Sequence, residues 1–339
     1  MVRAHLQDVR RIMFYTIKKG LRFISILLVH DIIQFGVNKD TLGDKKDKKC
    51  RFCKRTTLEV TFKKIAHAFP QSMGNRQLCT NYECDECNDY FSMNVEDCFG
   101  KYFMPLNNVM LIIKEKKGTP TIKSTSGIVR QESNPDSRQI TIHVDIKPDN
   151  IAHKEKKFSI PEAGIEFDTE KNVVSFAYDK QPYIPMSVYK CFVKMAISIM
   201  PTDKVENFRE TIDWIMNQKH DAFYPNGRKM ILTRAWMRSA IPNGDIYYWL
   251  YEISDSDDLP SRTFFYVAWG QIWCMVEVPI KTRTDDFEVN NTPILTLLSE
   301  KTDKNNIAFF DLSNNTKIYG DKEHMYSTII GELKRNAPK

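Results

Sequence analysis

Apolar positions change their period along the chain, and each period predicts an element. Residues 1–38 contain an apolar run, 21–36, interrupted by Arg22, His30 and Asp31. The stretch reads as one or two helices, too short and too charged to span a membrane. Residues 57–62 alternate in character and read as a short strand. From 90 to 103 the apolar residues Phe91, Val95, Cys98, Phe99 and Tyr102 recur at three- and four-residue spacing, which predicts a helix. After Pro105 the pattern turns to strands over 109–114, 139–146 and 173–178, with a Ser/Thr/Pro/Gly-rich loop or long hairpin at 119–136. Two helices follow, 187–200 and 204–218, the second with Thr202 and Asp203 as candidate caps. Residues 247–253 and 264–280 read as strands of an antiparallel sheet, the latter long and aromatic. No internal repeat is evident. This second half is predicted to be α+β, with helices packed on a sheet.

Chemistry enters with the cysteines. Cys50 and Cys53 form one C-x-x-C and Cys84 and Cys87 a second, with thirty residues between the pairs. Four thiolates in two such knuckles are what a closed tetrahedral Zn²⁺ site takes. Four unrelated buried cysteines, a redox pair and an iron site are the alternatives. Between the pairs lie His67 and Pro70, then Gly74 and Asn75, and Asn88 directly follows Cys87. An imidazole near neutral pKa can take a proton from water when a second group orients it. Glu96 lies eight residues after Asn88, about two helical turns on. Asn and Glu offer oxygen ligands, which suit Mg²⁺ or Mn²⁺ rather than a second zinc. A solvated helix face is the competing reading for Glu96.

Cys50-x2-Cys53, Ala66-His67-Ala68-Phe69-Pro70, Gly74-Asn75, Cys84-x2-Cys87-Asn88 and Phe91 resemble the HNH endonuclease family, in its bacterial zinc-knuckle subfamily. The likeness spans residues 49–105. It implies a β-hairpin and a helix (the ββα-metal fold) around one catalytic divalent ion. It implies that His67 is the general base, that Asn88 is a metal ligand, and that the reaction is phosphodiester hydrolysis. Many members carry an acidic or histidine ligand just before the base, where this chain has Ala66; Glu96 is the candidate replacement, with Asp85, Glu86 and Asp89 also near. The residue orienting the base is expected at Asn75, with Asn81 the alternative. The helix carrying Val188-Tyr189-Lys190 and Lys194-Met195-Ala196 is similar to a segment that follows HNH domains in bacterial defence-type proteins.

Composition narrows the class. At 42% hydrophobic and 12% aromatic, the 339 residues can bury a real core and divide into more than one domain. Eight cysteines are too few for a disulfide scaffold, and with a zinc site they place the protein in a reducing cytoplasm. The net charge of +6 is uneven: residues 1–64 carry sixteen basic against six acidic side chains, whereas 65–110 carry two against six. Cations beside the first knuckle, Arg51, Lys54 and Arg55, are therefore the candidates for nucleic-acid contact. His143, Trp236, Trp249, Trp269 and Trp273 read as packed residues. Arg234 and Arg238 are either phosphate contacts or exposed.

The expected organisation is a helical, basic segment at 1–44, a zinc-binding nuclease domain at 45–107, and an α+β regulatory or target-recognition domain at 108–339 that folds on its own. The expected function is a metal-dependent endonuclease acting on double-stranded DNA, with structural zinc and catalytic Mg²⁺ or Mn²⁺, in anti-phage defence. Further expectations are no membrane association, a homodimer, and an activator of the second domain. The alternative is a non-catalytic zinc module for nucleic acid or protein contacts.

Overall fold

The computed structural model describes residues 13–18, 21–33, 40–46, 48–110, 112, 122–123, 129–134, 139–144, 152–154, 157–161, 164–171, 173–237, 240–241, 245–254, 262–281 and 302–328. In chain order the strands are β1 (Met13–Lys18), β2 (Leu21–Ile33), β3 (Asp40–Leu42), β4 (Ala66–His67), β5 (Leu78–Thr80), β6 (Ile122–Lys123), β7 (Val129–Asn134), β8 (Gln139–Val144), β9 (Ala152–Lys154), β10 (Lys157–Ile160), β11 (Ile165–Asp168), β12 (Val173–Asp179), β13 (Ile231–Met237), β14 (Ile246–Ser254), β15 (Arg262–Trp269), β16 (Ile272–Val278), β17 (Thr302–Asp311) and β18 (Lys322–Thr328). The helices are α1 (Asp85–Phe91), α2 (Asp97–Val109), α3 (Pro185–Ile199), α4 (Thr202–Val205) and α5 (Arg209–Ile215).

The fold is α+β. Its largest sheet has the order β1-β2-β14-β15-β16-β13-β17, with every neighbouring pair antiparallel. Its strands sort side chains by the period of two: Phe265, Val267 and Trp269 join the core cluster that includes α3, while Phe264, Tyr266 and Ala268 form a separate cluster. A second antiparallel sheet runs β18-β12-β11-β10-β9. A small mixed sheet, β3-β5-β4, carries the His67 hairpin.

Several elements differ from the sequence expectation. Residues 13–18 and 21–33 are paired antiparallel strands, not helices, and β2 pairs with β14. The run is rich in Ile, Leu and Val, whose preference is settled by the sheet edge it pairs with. Residues 264–280 divide into β15 and β16 around Gly270, whose φ of +56° turns the chain and whose missing Cβ would lie 2.6 Å from the Met110 sulfur. The 57–62 stretch is a turn, with Glu59 accepting from the Thr56 backbone at 2.9 Å. A 3-10 turn at Glu206–Phe208 separates α4 from α5. Of the two readings of 119–136, a loop or a long hairpin, the hairpin fits, since β6 pairs antiparallel with β7. Arg238 and most of 109–114 beyond Val109 and Met110 lie outside the described residues, as does the side chain of His143.

One hydrophobic core joins the cysteine-rich segment to the second half of the chain. Phe69 packs edge-on against Tyr248 and Phe265, with ring centroids 5.0 and 5.8 Å away. Phe99 meets Phe192 at 5.2 Å, and Phe103 meets Trp269 at 5.1 Å. Every residue of α3 is buried. A helix buried all round needs walls on both sides, and here the cysteine-rich half supplies one wall and the sheet the other. The apolar core of 108–339 is thus not self-contained. Among the described residues no helix is long and apolar enough to cross a membrane.

Candidate active site

The four knuckle cysteines converge, with their sulfur atoms all within 4.8 Å of one another. Cys53 Sγ and Cys84 Sγ are 3.7 Å apart, far beyond a disulfide. At a Zn–S distance of about 2.3 Å, a tetrahedron has an S···S edge of about 3.8 Å. The donor set therefore fits Zn²⁺. The Cys87 thiol hydrogen-bonds Cys50 and lowers it toward the thiolate a metal takes, while Cys50 and burial push Cys87 up. Arg55 Nε donates to Cys53 Sγ at 3.3 Å, the kind of outer partner that orients a ligand.

Cys84 caps α1 and Cys87 lies inside it, so the cluster holds the start of the helix that bears Asn88. The same helix is tied to the approach to β4. The Asp85 carboxylate accepts from the Thr61 hydroxyl and from the backbone N–H groups of Lys63 and Lys64, the latter two at 3.0 and 2.8 Å. Asp89 pairs with Lys64 and Glu86 with Arg55. All three acidic residues near the second knuckle thus serve structural contacts.

Between α1 and α2 the helix widens into a π segment at Ser92–Glu96, where the Asp97 N–H reaches the Ser92 carbonyl. Such bulges re-aim side chains and concentrate at functional sites. The result is a cleft of about 460 Å³, whose lining includes His67, Gln71, Asn88, Ser92 and Glu96. His67, Asn88 and Glu96 therefore share one space, although they come from a strand, a helix and a π segment.

The His67 ring is held on both nitrogens. Gln71 Nε2 lies 2.8 Å from His67 Nε2, and Cys79 Sγ lies 4.0 Å from Nδ1. With its nitrogen turned toward the ring, the Gln71 amide donates to Nε2 and suits the tautomer protonated at Nδ1. Asn75 does not orient this ring. Its amide donates to the Phe69 and Leu78 carbonyls at 2.8 and 3.0 Å, and its carbonyl accepts from Gln77 and Leu78. Fully satisfied by backbone, Asn75 instead shapes the loop joining β4 to β5, where Gly74 turns at a φ of +91°. Asn81 donates to the Gly43 carbonyl at 3.2 Å.

Beneath the cleft sits Lys194, fully buried. Its Nζ donates to the His67 carbonyl at 2.8 Å and to Glu96 Oε1 at 3.0 Å, and lies 3.1 Å from Glu83 Oε2. Burial opposes its charge, but Glu83 and Glu96 more than offset that and shift it upward. Burial pushes the Glu83 carboxyl up to about 7 despite the adjacent ammonium. Glu96 thus both pairs with Lys194 through Oε1 and lines the cleft. Gln71, Glu83 and Lys194 escape sequence reasoning. For Lys194 the one signal is a lysine between Val193 and Met195 in an otherwise apolar stretch.

Of the basic residues beside the first knuckle, Arg51 is committed to the core, while Lys54 and Arg55 make surface ion pairs. Arg51 is buried and donates to the Ile197, Ser198 and Met200 carbonyls at 2.7, 3.1 and 2.8 Å. It caps the last turn of α3, where carbonyls lack partners. This removes it from the nucleic-acid surface. Lys54 pairs with Glu206 at 2.8 Å and Arg55 with Glu86 at 2.6 Å, both exposed. Arg234 is paired with Glu323 inside the second half. Trp249, Trp269 and Trp273 are buried and Trp236 packs at the core edge, not as an open stacking platform.

Residues 50–104 match the family model described as HNH endonuclease. No curated protein and no solved structure matches the chain. The matched stretch holds the cysteine cluster, His67, Asn88 and Glu96, and residues 108–339 carry no family assignment.

Proposed function

We propose that the protein is a metal-dependent endonuclease that hydrolyses phosphodiester bonds of double-stranded DNA. The observation that carries this reading is the convergence of His67, Asn88 and Glu96 on one open cleft inside the stretch matched by the nuclease family. His67 Nε2 takes the proton of the attacking water, and the water displaces Gln71 from that nitrogen. Asn88 and Glu96, which both line the cleft, would hold Mg²⁺ or Mn²⁺, a cation that keeps several waters and needs only one or two protein oxygens. When bound, that ion stabilises the charge developing on the phosphate and the leaving oxygen. The Zn²⁺ of the cysteine cluster is structural: it holds α1, and with it Asn88, against the His67 hairpin.

The reading extends to residues 108–339 as a recognition or gating part, and to defence against foreign DNA. Its support is the soft likeness of the α3 segment and the packing of that helix against the cleft. A cytoplasmic setting accords with eight cysteines that form no disulfide.

A non-catalytic zinc module is the second reading. Ala66 where an acidic ligand is common, and the commitment of Glu96 to Lys194, favour it. Purified full-length protein and His67→Ala, incubated with plasmid DNA and Mg²⁺ or Mn²⁺, separate the two. The nuclease reading expects cleavage by wild type alone, with equal zinc content and DNA affinity in both proteins. Binding without cleavage under either ion returns the second reading.

A further inference from the structure

The Lys194 ammonium lies in the core at no exposure, with three oxygens within 3.1 Å. A buried charge is tolerated only where fixed partners satisfy it. One partner, Glu83, is as buried as the lysine and lies opposite it as a counter-ion. The other two contacts do something different. The His67 carbonyl belongs to β4, and Glu96 ends the π segment, so a single ammonium ties together two walls of the same cleft. Lys194 also belongs to α3, outside the matched residues 50–104.

We propose that Lys194 is a positioning residue of the cleft, through which α3 sets the His67 backbone and the Glu96 carboxylate relative to one another. The hydrolytic site is then complete only with a helix from the second half of the chain. That helix is held in turn by Arg51, which leaves the first knuckle to cap its C-terminal carbonyls. The cysteine cluster, α3 and the cleft form one mechanical unit. The kinetic side of this inference rests on the nuclease reading; the geometric side does not.

The test must keep the fold, because Lys194→Met alone leaves Glu83 buried without its counter-ion. Glu83→Gln/Lys194→Met removes both charges together, and Glu83→Gln alone retains the ties to His67 and Glu96. The readouts are the His67 imidazole resonances in heteronuclear NMR spectra of full-length protein with its zinc in place and no Mg²⁺ or Mn²⁺ added, zinc content, and plasmid cleavage. The double variant is expected to keep its zinc, to shift the His67 resonances, and to lose about 10–100-fold in kcat with KM nearly unchanged. Glu83→Gln alone is expected to leave resonances and rate near wild type. Unmoved resonances with wild-type kcat in the double variant overturn the proposal, as does an equal loss in Glu83→Gln alone. Should the double variant not fold, Lys194→Arg keeps the charge beside Glu83, and unmoved His67 resonances there overturn the proposal as well. A wild type that never cleaves removes the nuclease reading, while the resonances still decide the positioning role.

Discussion

The Arg51 guanidinium reaches the Ile197 carbonyl at 2.7 Å across 146 residues of chain. It also stacks 3.8 Å from the Tyr82 ring centroid. Replacing it by methionine strips the donor from three carbonyls at the end of α3. Such a buried loss costs about 3 kcal/mol. Chemical denaturation of Arg51→Met should show that loss. The salt dependence of DNA binding should not change, since Arg51 reaches no phosphate; a reduced salt slope would return it to the nucleic-acid surface.

A fragment starting near residue 108 should not fold. It would expose the faces of Phe192 and Trp269 that Phe99 and Phe103 cover, and leave the Lys194 charge without Glu83 and Glu96. Circular dichroism and amide dispersion of the fragment against the full chain test this. A fragment with native dispersion would mean that the second half carries a sufficient core of its own.

What is legible in the sequence is what local spacing dictates. Two C-x-x-C pairs bring four sulfurs together, and apolar periodicity finds the helices containing Val95 and Phe192. The roles expected of His67 and Asn88 come from the family resemblance rather than from spacing, and the π segment that carries Glu96 has no signal in the apolar period. What stays hidden is long-range pairing. Arg51 and Lys54 look like free cations until partners 146 and 152 residues away appear. Asn75 looks like a ring-orienting amide until four backbone groups claim it. Residues 21–33 fail for another reason: a β-branched run fits either period, and only β14 beside it decides.

Zinc should be stoichiometric. Elemental analysis of dialysed protein should give one Zn²⁺ per chain, and Cys84→Ser should lose both the metal and most of the folded population. The cluster shares its core with Phe52 and Phe91, whose rings meet at 4.6 Å, so metal loss propagates into the family-matched segment. A zinc-free wild type with a cooperative unfolding transition would refute the structural role.

Lys190 should contribute a stability that rises with pH above neutrality. Burial lowers this ammonium from 10.5 to about 7, and its Nζ has the Asn217 carbonyl at 2.7 Å. Between those values the unfolded chain still holds a proton that the folded chain has released, so raising pH favours the fold. One such proton contributes at most about 1.4 kcal/mol per pH unit. Lys190→Met should flatten the curve between pH 7 and 10. His220, lowered to about 4 by burial and then by Lys190, should titrate higher in that variant. Parallel stability curves for the two proteins would show that Lys190 does not titrate in this window.

Asn88 and Glu96 should differ in their effect on the divalent ion. Both line the cleft, but Glu96 Oε1 is already 3.0 Å from the Lys194 ammonium. A carboxylate whose charge is shared with a fixed cation attracts a second cation less strongly. Its substitution therefore removes less than its formal charge implies. Asn88 sits on α1, whose start the cysteine cluster fixes, and its amide oxygen requires no such compromise. Asn88→Ala should raise the Mn²⁺ concentration for half-maximal cleavage by about 10-fold or more, with zinc content unchanged. Glu96→Gln keeps a hydrogen-bonding oxygen toward Lys194 and should raise it by a smaller factor. Cleavage titrated against Mn²⁺ and Mg²⁺ gives both numbers. An Asn88→Ala curve superimposable on wild type removes Asn88 from the metal, and a silent Glu96→Gln assigns Glu96 to the wall of the cleft alone.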